Sequence, residues 1–108
     1  MSYSVKSIAL FEKQAKRLSK KYPSLKNELW ELTQNLKENP EQGTPIGKNC
    51  FKVRLSVRSK GKGKSGGTRV ITHVVVAHKL VYLLSIYDKS EMESISGKEL
   101  LELLQFIP

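Results

Sequence analysis

The sequence predicts an α+β domain: an N-terminal helical hairpin on a small antiparallel sheet, closed by a C-terminal helix. Three observations carry this. Apolar residues recur every three or four positions from Ile8 to Leu36. From Phe51 to Tyr87 the apolar period falls to two. Proline and glycine clusters separate the two regimes, and runs of helix followed by runs of strand indicate α+β with helices on one face of the sheet.

Residues 2–7 (SYSVKS) alternate weakly and predict a short first strand. Ile8, Phe11, Ala15 and Leu18, with Lys13, Lys16, Arg17 and Lys20 between them, predict an amphipathic helix of about four turns. Tyr22-Pro23 stops it, because the residue before proline avoids the helical region. Ser24 stands at an N-cap. Leu25, Leu29, Leu32 and Leu36, with Trp30 beside them, mark a second helix to Glu38, and Asn39-Pro40 ends it. So short a connection makes the two helices an antiparallel hairpin. Residues 39–49 (NPEQGTPIGKN) read as loop. Phe51, Val53, Leu55 and Val57 alternate with Lys52, Arg54, Ser56 and Arg58, giving a strand with an apolar inner and a cationic outer face. SKGKGKSGG at 59–67 is a glycine-rich connection. Strands are predicted over Thr68–Ala77 and Leu80–Tyr87, with a tight turn at His78-Lys79. Ile95, Leu100, Leu101, Leu103 and Leu104 predict the closing helix, with Ser96 and Glu99 as a capping box.

The 108 residues make one domain by length. No apolar run approaches the roughly 20 residues of a membrane helix, and no secretory leader is legible, so no membrane partner is expected. Cys50 is the single cysteine, which excludes an intramolecular disulfide and fits a reducing, cytoplasmic setting. One cysteine and two histidines do not supply the four protein ligands of a structural zinc. The formal charge is +9, and its distribution is uneven. Residues 48–69 hold eight basic side chains and no acidic one, the signature of a surface that meets phosphates.

Within that stretch, GKS at 63–65 is not a phosphate loop. The required glycine five residues earlier falls on Arg58, and a strand follows instead of a helix. Two readings of the loop stand: a cationic arm tracking a nucleic-acid backbone through Lys60, Lys62 and Lys64, or a solvated hairpin loop. Lys52 and Arg54 share a strand face, Arg69 begins the partner strand, and His73 shares its face if that strand is regular. Cations so placed grip a phosphodiester and stabilise its pentavalent transition state; the alternative is a face polar for solubility. Tyr87 and Lys89 close the last strand, Tyr87 as a stacking or orienting group or as an edge aromatic. His73 is an acid–base candidate or a structural histidine, His78 a turn residue, and Cys50 a buried, inert thiol.

The run CFKVRLSVRSKGKGKSGGTRVITHVVV, followed by VYLLSIYDKSEM, resembles the RelE/ParE superfamily of bacterial type II toxins, nearest the RelE-like HigB branch. The likeness covers nearly the whole chain. It implies a microbial-ribonuclease-like α+β fold and an endoribonuclease that enters the ribosomal A site. Such enzymes cut mRNA there, without a metal or cofactor, through attack of a ribose 2′-hydroxyl on the neighbouring phosphate. It implies a cognate antitoxin as partner, with operator DNA met only through that antitoxin. By this likeness Lys52 is a phosphate ligand and possible base, and Arg54 stands where relatives have a second lysine. Arg69 stands at the arginine that stabilises the scissile phosphate. Lys89 and Tyr87 stand at a cationic and an aromatic position of the site. Arg58, Lys60, Lys62, Lys64 and His73 complete an RNA-binding surface. The tyrosine that RelE carries in its last helix has no counterpart in ELLELLQFIP. Arg54 is a poor base because a guanidinium keeps its proton, which leaves Lys52, Tyr87 and His73 as candidates. The rival reading is a non-enzymatic binder, either a ParE-like inhibitor of DNA gyrase or an antitoxin partner whose catalysis has decayed.

Overall fold

In the computed structural model, residues 2–60, 67–92 and 94–108 are described, Lys60 by its backbone alone. The chain runs β1 (Ser4–Ser7), α1 (Ala9–Lys21), α2 (Leu25–Glu38), β2 (Thr44–Gly47), β3 (Cys50–Leu55), β4 (Thr68–Val75), β5 (Leu80–Asp88) and α3 (Gly97–Leu104). Short 3₁₀ turns occupy Arg58–Lys60 and Val76–His78.

The apolar stripes of the hairpin do what their spacing predicts. Phe11 and Leu18 of α1 and Leu25, Leu32 and Leu36 of α2 are buried, whereas Trp30 is 65% exposed. Ser24 occupies the N-cap of α2, yet its hydroxyl caps no backbone N–H of that helix. It donates instead to Glu28 Oε1 (3.1 Å) and meets Ser59 Oγ at 2.8 Å. At α3 the capping box forms in both directions, Glu99 N–H to Ser96 Oγ at 3.1 Å and Ser96 N–H to Glu99 Oε1 at 3.0 Å.

The sheet order is β1-β5-β4-β3-β2. Two expectations are corrected here. The sheet is mixed rather than antiparallel, because β1 lies parallel to β5, Ser4 opposite Leu80 through Ser7 opposite Leu83. Parallel neighbours need a long crossover, and the helical hairpin begins one. Second, the 39–49 loop contains β2, antiparallel to β3. TPIG is too short to show alternation, and its proline is tolerated because β2 is an edge strand. The β2–β3 turn, Lys48-Asn49, has both φ values positive (54° and 59°), the mirror-image turn that matches strand twist. β4 ends at Val75, two residues before the predicted Ala77, and Lys79 (φ 52°) completes the turn to β5.

Cross-strand partners share a face, so the registers sort the side chains. Val53, Val70 and Ile86 form one row toward the helical hairpin. Arg54, Arg69 and Tyr87 form the next row, on the opposite face. The helices do not all lie on the hairpin side. α3 contacts β5, and Glu99 in its first turn stands close enough to Tyr87 to push the phenol's pKa up, which sets this helix beside the Tyr87 face. Leu84 is an extra residue on β5: Leu83 pairs with Thr72 and Ser85 with Ile71, which leaves Leu84 as a bulge.

Gly43 passes close over β3. Its φ is +100°, and a Cβ there would lie 2.6 Å from the Lys52 carbonyl oxygen. Gly43→Ala is therefore expected to cost about 1–3 kcal/mol in strain alone. A urea melt with an unchanged midpoint would refute this.

Candidate functional site

Arg54, Arg69 and Tyr87 are directly opposite one another on β3, β4 and β5. Lys52 stands one step along the same face, in the row of Ile71 and Ser85. Arg54 is exposed and Lys52 half-buried, whereas Arg69 and Tyr87 are each 4% exposed. The cationic face is therefore layered rather than open. Arg54 and Lys52 are its accessible rim, and Arg69 lies behind them with a guanidinium N–H donating to the Thr68 carbonyl at 3.4 Å. Like charges directly opposite across a strand pair destabilise each other, and a bound anion relieves that cost.

The Tyr87 hydroxyl is buried with no hydrogen-bond partner among the described residues. Burial raises its pKa, Arg69 pulls it down, and Glu99 pushes it up. The net shift is upward, so the phenol stays protonated at neutral pH. In that form its O–H is a hydrogen-bond donor.

His73 shares the Lys52 face as expected, but the fold does not bring it to Arg69. They are four positions apart along β4, roughly 13 Å along a strand. His73 faces Cys50 instead, with Nδ1 3.4 Å from Sγ. Burial lowers the imidazole pKa against a backbone hydrogen bond at Lys48 that raises it, so the ring is neutral near pH 7. Cys50 is 1% exposed, and burial pushes its thiol up to about 11 against the opposing charge of Lys48. It is inert as the sequence suggests. Iodoacetamide at pH 8 is expected to label the unfolded chain at least tenfold faster than the folded one, because the thiolate is the nucleophile. Equal rates would contradict it.

Arg58 does not join the Lys52–Arg54 rim. Its Nε lies 3.4 Å from Glu28 Oε2, its backbone N–H donates to the same oxygen at 2.8 Å, and Glu31 is 4.0 Å away. Ser59 N–H donates to Ser24 Oγ at 3.0 Å. The start of the basic connection is thus clamped to the first turn of α2. Gly67, at its far end, accepts from Lys89 N–H at 3.3 Å. Lys62 and Lys64, and the side chain of Lys60, lie outside the described residues. Lys89 follows Tyr87 by two residues in a turn tied to α1: Tyr22 O–H donates to Asp88 at 2.8 Å, and Arg17 donates to Glu91 at 3.1 and 3.2 Å.

Two residues escaped sequence reading. Glu28 is 7% exposed and falls on the Leu25–Leu32–Leu36 stripe, a carboxylate in apolar phase, which was a legible signal. Gln42 sits in a segment read only as loop, and its Nε2 is buried without a partner among the described residues. The described residues contain no cluster of three metal-ligating side chains and no helix long and apolar enough to cross a membrane.

No family model matches the sequence. Among solved structures, the chain is similar over 100% of both lengths to a free double arginine-to-alanine variant of Escherichia coli toxin RelE, with a TM-score of 0.66 and 16% identity. It is also similar to a chain of the RelBE2 toxin–antitoxin complex of Mycobacterium tuberculosis, with a TM-score of 0.62 and 16% identity. That match covers 82% of this chain and 92% of the other. The fold is therefore that of RelE; neither neighbour carries a placement nearer the HigB branch.

Proposed function

We propose that this chain, built on the RelE fold, is the toxin of a type II toxin–antitoxin pair and cuts mRNA on the translating ribosome. The observation that carries the proposal is the row Arg54–Arg69–Tyr87 with Lys52 beside it: three cations and a protonated phenol converging on one strip of sheet. In the proposed reaction a ribose 2′-oxygen attacks the adjacent phosphorus, and the bond from phosphorus to the 5′-oxygen breaks. The products are a 2′,3′-cyclic phosphate and a 5′-hydroxyl. The 2′-hydroxyl proton leaves to a base and the departing oxygen gains one from an acid. Arg54 and Lys52 hold the non-bridging oxygens. Arg69, behind them, supports the charge that develops on phosphorus, and Tyr87 donates a proton or hydrogen bond. Lys52 remains in reach as base, whereas His73 stands too far from Arg69. Positioning of the substrate by the ribosome supplies several orders of magnitude without a strong base.

Lys89 and the connection lysines Lys60, Lys62 and Lys64 are assigned to ribosomal RNA phosphates, and Arg58 to the clamp that fixes where that connection starts. A cognate antitoxin is the protein partner, a reading supported by the similarity to a chain of the RelBE2 complex. The test is a purified translation reaction in which mRNA ends are mapped with and without ribosomes. New ends are expected only on translated mRNA. Intact mRNA with normal protein synthesis would overturn the reading.

A further inference from the structure

We propose that Glu28 is a positioning residue: through the backbone at Arg58 it holds the end of β3, and with it Arg54, in place opposite Arg69. Its part in cutting rests on the nuclease reading above. β2 leaves β3 at Thr44, opposite Lys52, so Val53–Leu55 has no strand neighbour on that side among the described residues. Over this stretch β3 is held by β4 alone, and the ladder ends one rung past Arg54–Arg69, at Leu55 opposite Thr68. Ladder ends open readily, and a strand held on one side opens more readily still. The hold missing from the sheet comes from α2. Arg58 N–H donates to Glu28 Oε2 at 2.8 Å, and the Arg58 Nε lies 3.4 Å from the same oxygen. Ser24 O–H donates to Glu28 Oε1 at 3.1 Å and accepts from Ser59 N–H at 3.0 Å. Both oxygens of one carboxylate thus tie the chain at Arg58 and Ser59, just beyond Arg54, to the start of α2.

The chemistry of Glu28 points to placement rather than stability. It is buried in phase with Leu25, Leu32 and Leu36, where a leucine would pack without the cost of desolvating a charge. A buried ion pair commonly adds little to stability over apolar residues of similar volume. The Arg58 side chain is 73% exposed, so the charge pair is also screened by water. What no leucine does is accept the Arg58 N–H, and that bond fixes where the chain leaves the sheet. Between Arg54 and Arg58 only Val57 is fully buried, so the carboxylate is the second of two fixed points on this segment. Glu28 and Arg54 line one groove of about 270 Å³, at the edge that β2 has left. A shift of the chain at Arg58 therefore reaches the cationic rim, and displacements of about 1 Å in a reacting constellation cost large factors in rate.

The experiment reads amide hydrogen exchange in the free protein beside cutting in the ribosomal reaction, for wild type, Glu28→Leu and Glu28→Gln. Glu28→Leu suits the apolar stripe, and its melting temperature is expected to stay close to that of wild type. Exchange of the protected amides that join β3 to β4 at the Arg54–Arg69 and Leu55–Thr68 rungs is expected to rise about tenfold. Exchange at the far end of β4, around Val74 and Val81, is expected to stay unchanged. The cutting rate at saturating ribosomes is expected to fall about tenfold, with the half-saturating concentration within about twofold of wild type. Glu28→Gln keeps an oxygen for the Arg58 N–H and is expected to recover most of both losses. Exchange left unchanged in Glu28→Leu overturns the proposal, as does a rise spread over the whole sheet with a lowered melt. A local rise in exchange with an undiminished rate overturns the part in cutting. If wild type cuts no translated mRNA, the nuclease reading falls, and exchange alone then decides whether Glu28 holds Arg54.

Discussion

Arg69→Ala is expected to lower cleavage of translated mRNA by about 10²–10³-fold, the scale of removing one preorganised donor from a developing negative charge. The residue is 4% exposed and directly opposite exposed Arg54. Its removal takes away the cation behind the rim while leaving Arg54 and Lys52 to bind RNA, so the loss is expected in the rate of cutting more than in affinity. Arg69→Lys is expected to recover only part of the rate, because an ammonium keeps the charge but loses the planar fork that matches a phosphate. A melt must accompany the assay. Arg69 is nearly fully buried and bonds the Thr68 carbonyl, so the alanine variant is expected to lose some stability, and cleavage is compared at a temperature where both proteins are folded. Full cleavage by folded Arg69→Ala would remove Arg69 from the reaction.

Tyr87→Phe is expected to separate stability from activity. The phenol is buried and its hydroxyl has no hydrogen-bond partner among the described residues, and leaving such a group unpaired costs about 1–3 kcal/mol. Replacement by phenylalanine is therefore expected to stabilise the free protein by about 1 kcal/mol. Cleavage is expected to fall about 10²-fold if the phenol is the acid of the reaction. A purely structural tyrosine would change the melt and leave the rate alone. The pH dependence supplies a second check. The pKa of Tyr87 is raised, chiefly by burial, so its donor form persists beyond the ordinary phenol value near 10, and no loss of rate is expected from its ionisation below that pH.

Much of this was legible in the residues and some was not, for identifiable reasons. The hairpin was legible because Leu25, Leu32 and Leu36 keep helical phase over fourteen residues. The capping box at Ser96 and Glu99 was legible because both groups are local. That Arg54 and Arg69 stand on neighbouring strands was legible from two alternating segments joined by a connection, but their direct opposition was not, because a long glycine-rich connection leaves the register open. β2 was not legible, since four residues containing proline and glycine carry no period. The parallel placement of β1 depends on contacts with a strand more than seventy residues away. The burial of Arg69 was hidden because β4 and β5 are covered on both faces and α3 reaches the second one. Ser24 shows how tertiary contact overrides local signal: a residue well suited to cap its own helix bonds Ser59 instead.

The bulge at Leu84 has a consequence for how this chain tolerates changes in length. β5 carries one residue more than its partner needs between Leu83 and Ser85. Loss of a single codon for Leu84 or Ser85 straightens the strand and still leaves Tyr87 opposite Arg69. A gained codon has nowhere to go but toward the cations, where it sets Ile86 against Arg69 and turns Tyr87 into the core. The strand that completes the site is thus asymmetric toward insertion and deletion, with slack in one direction only.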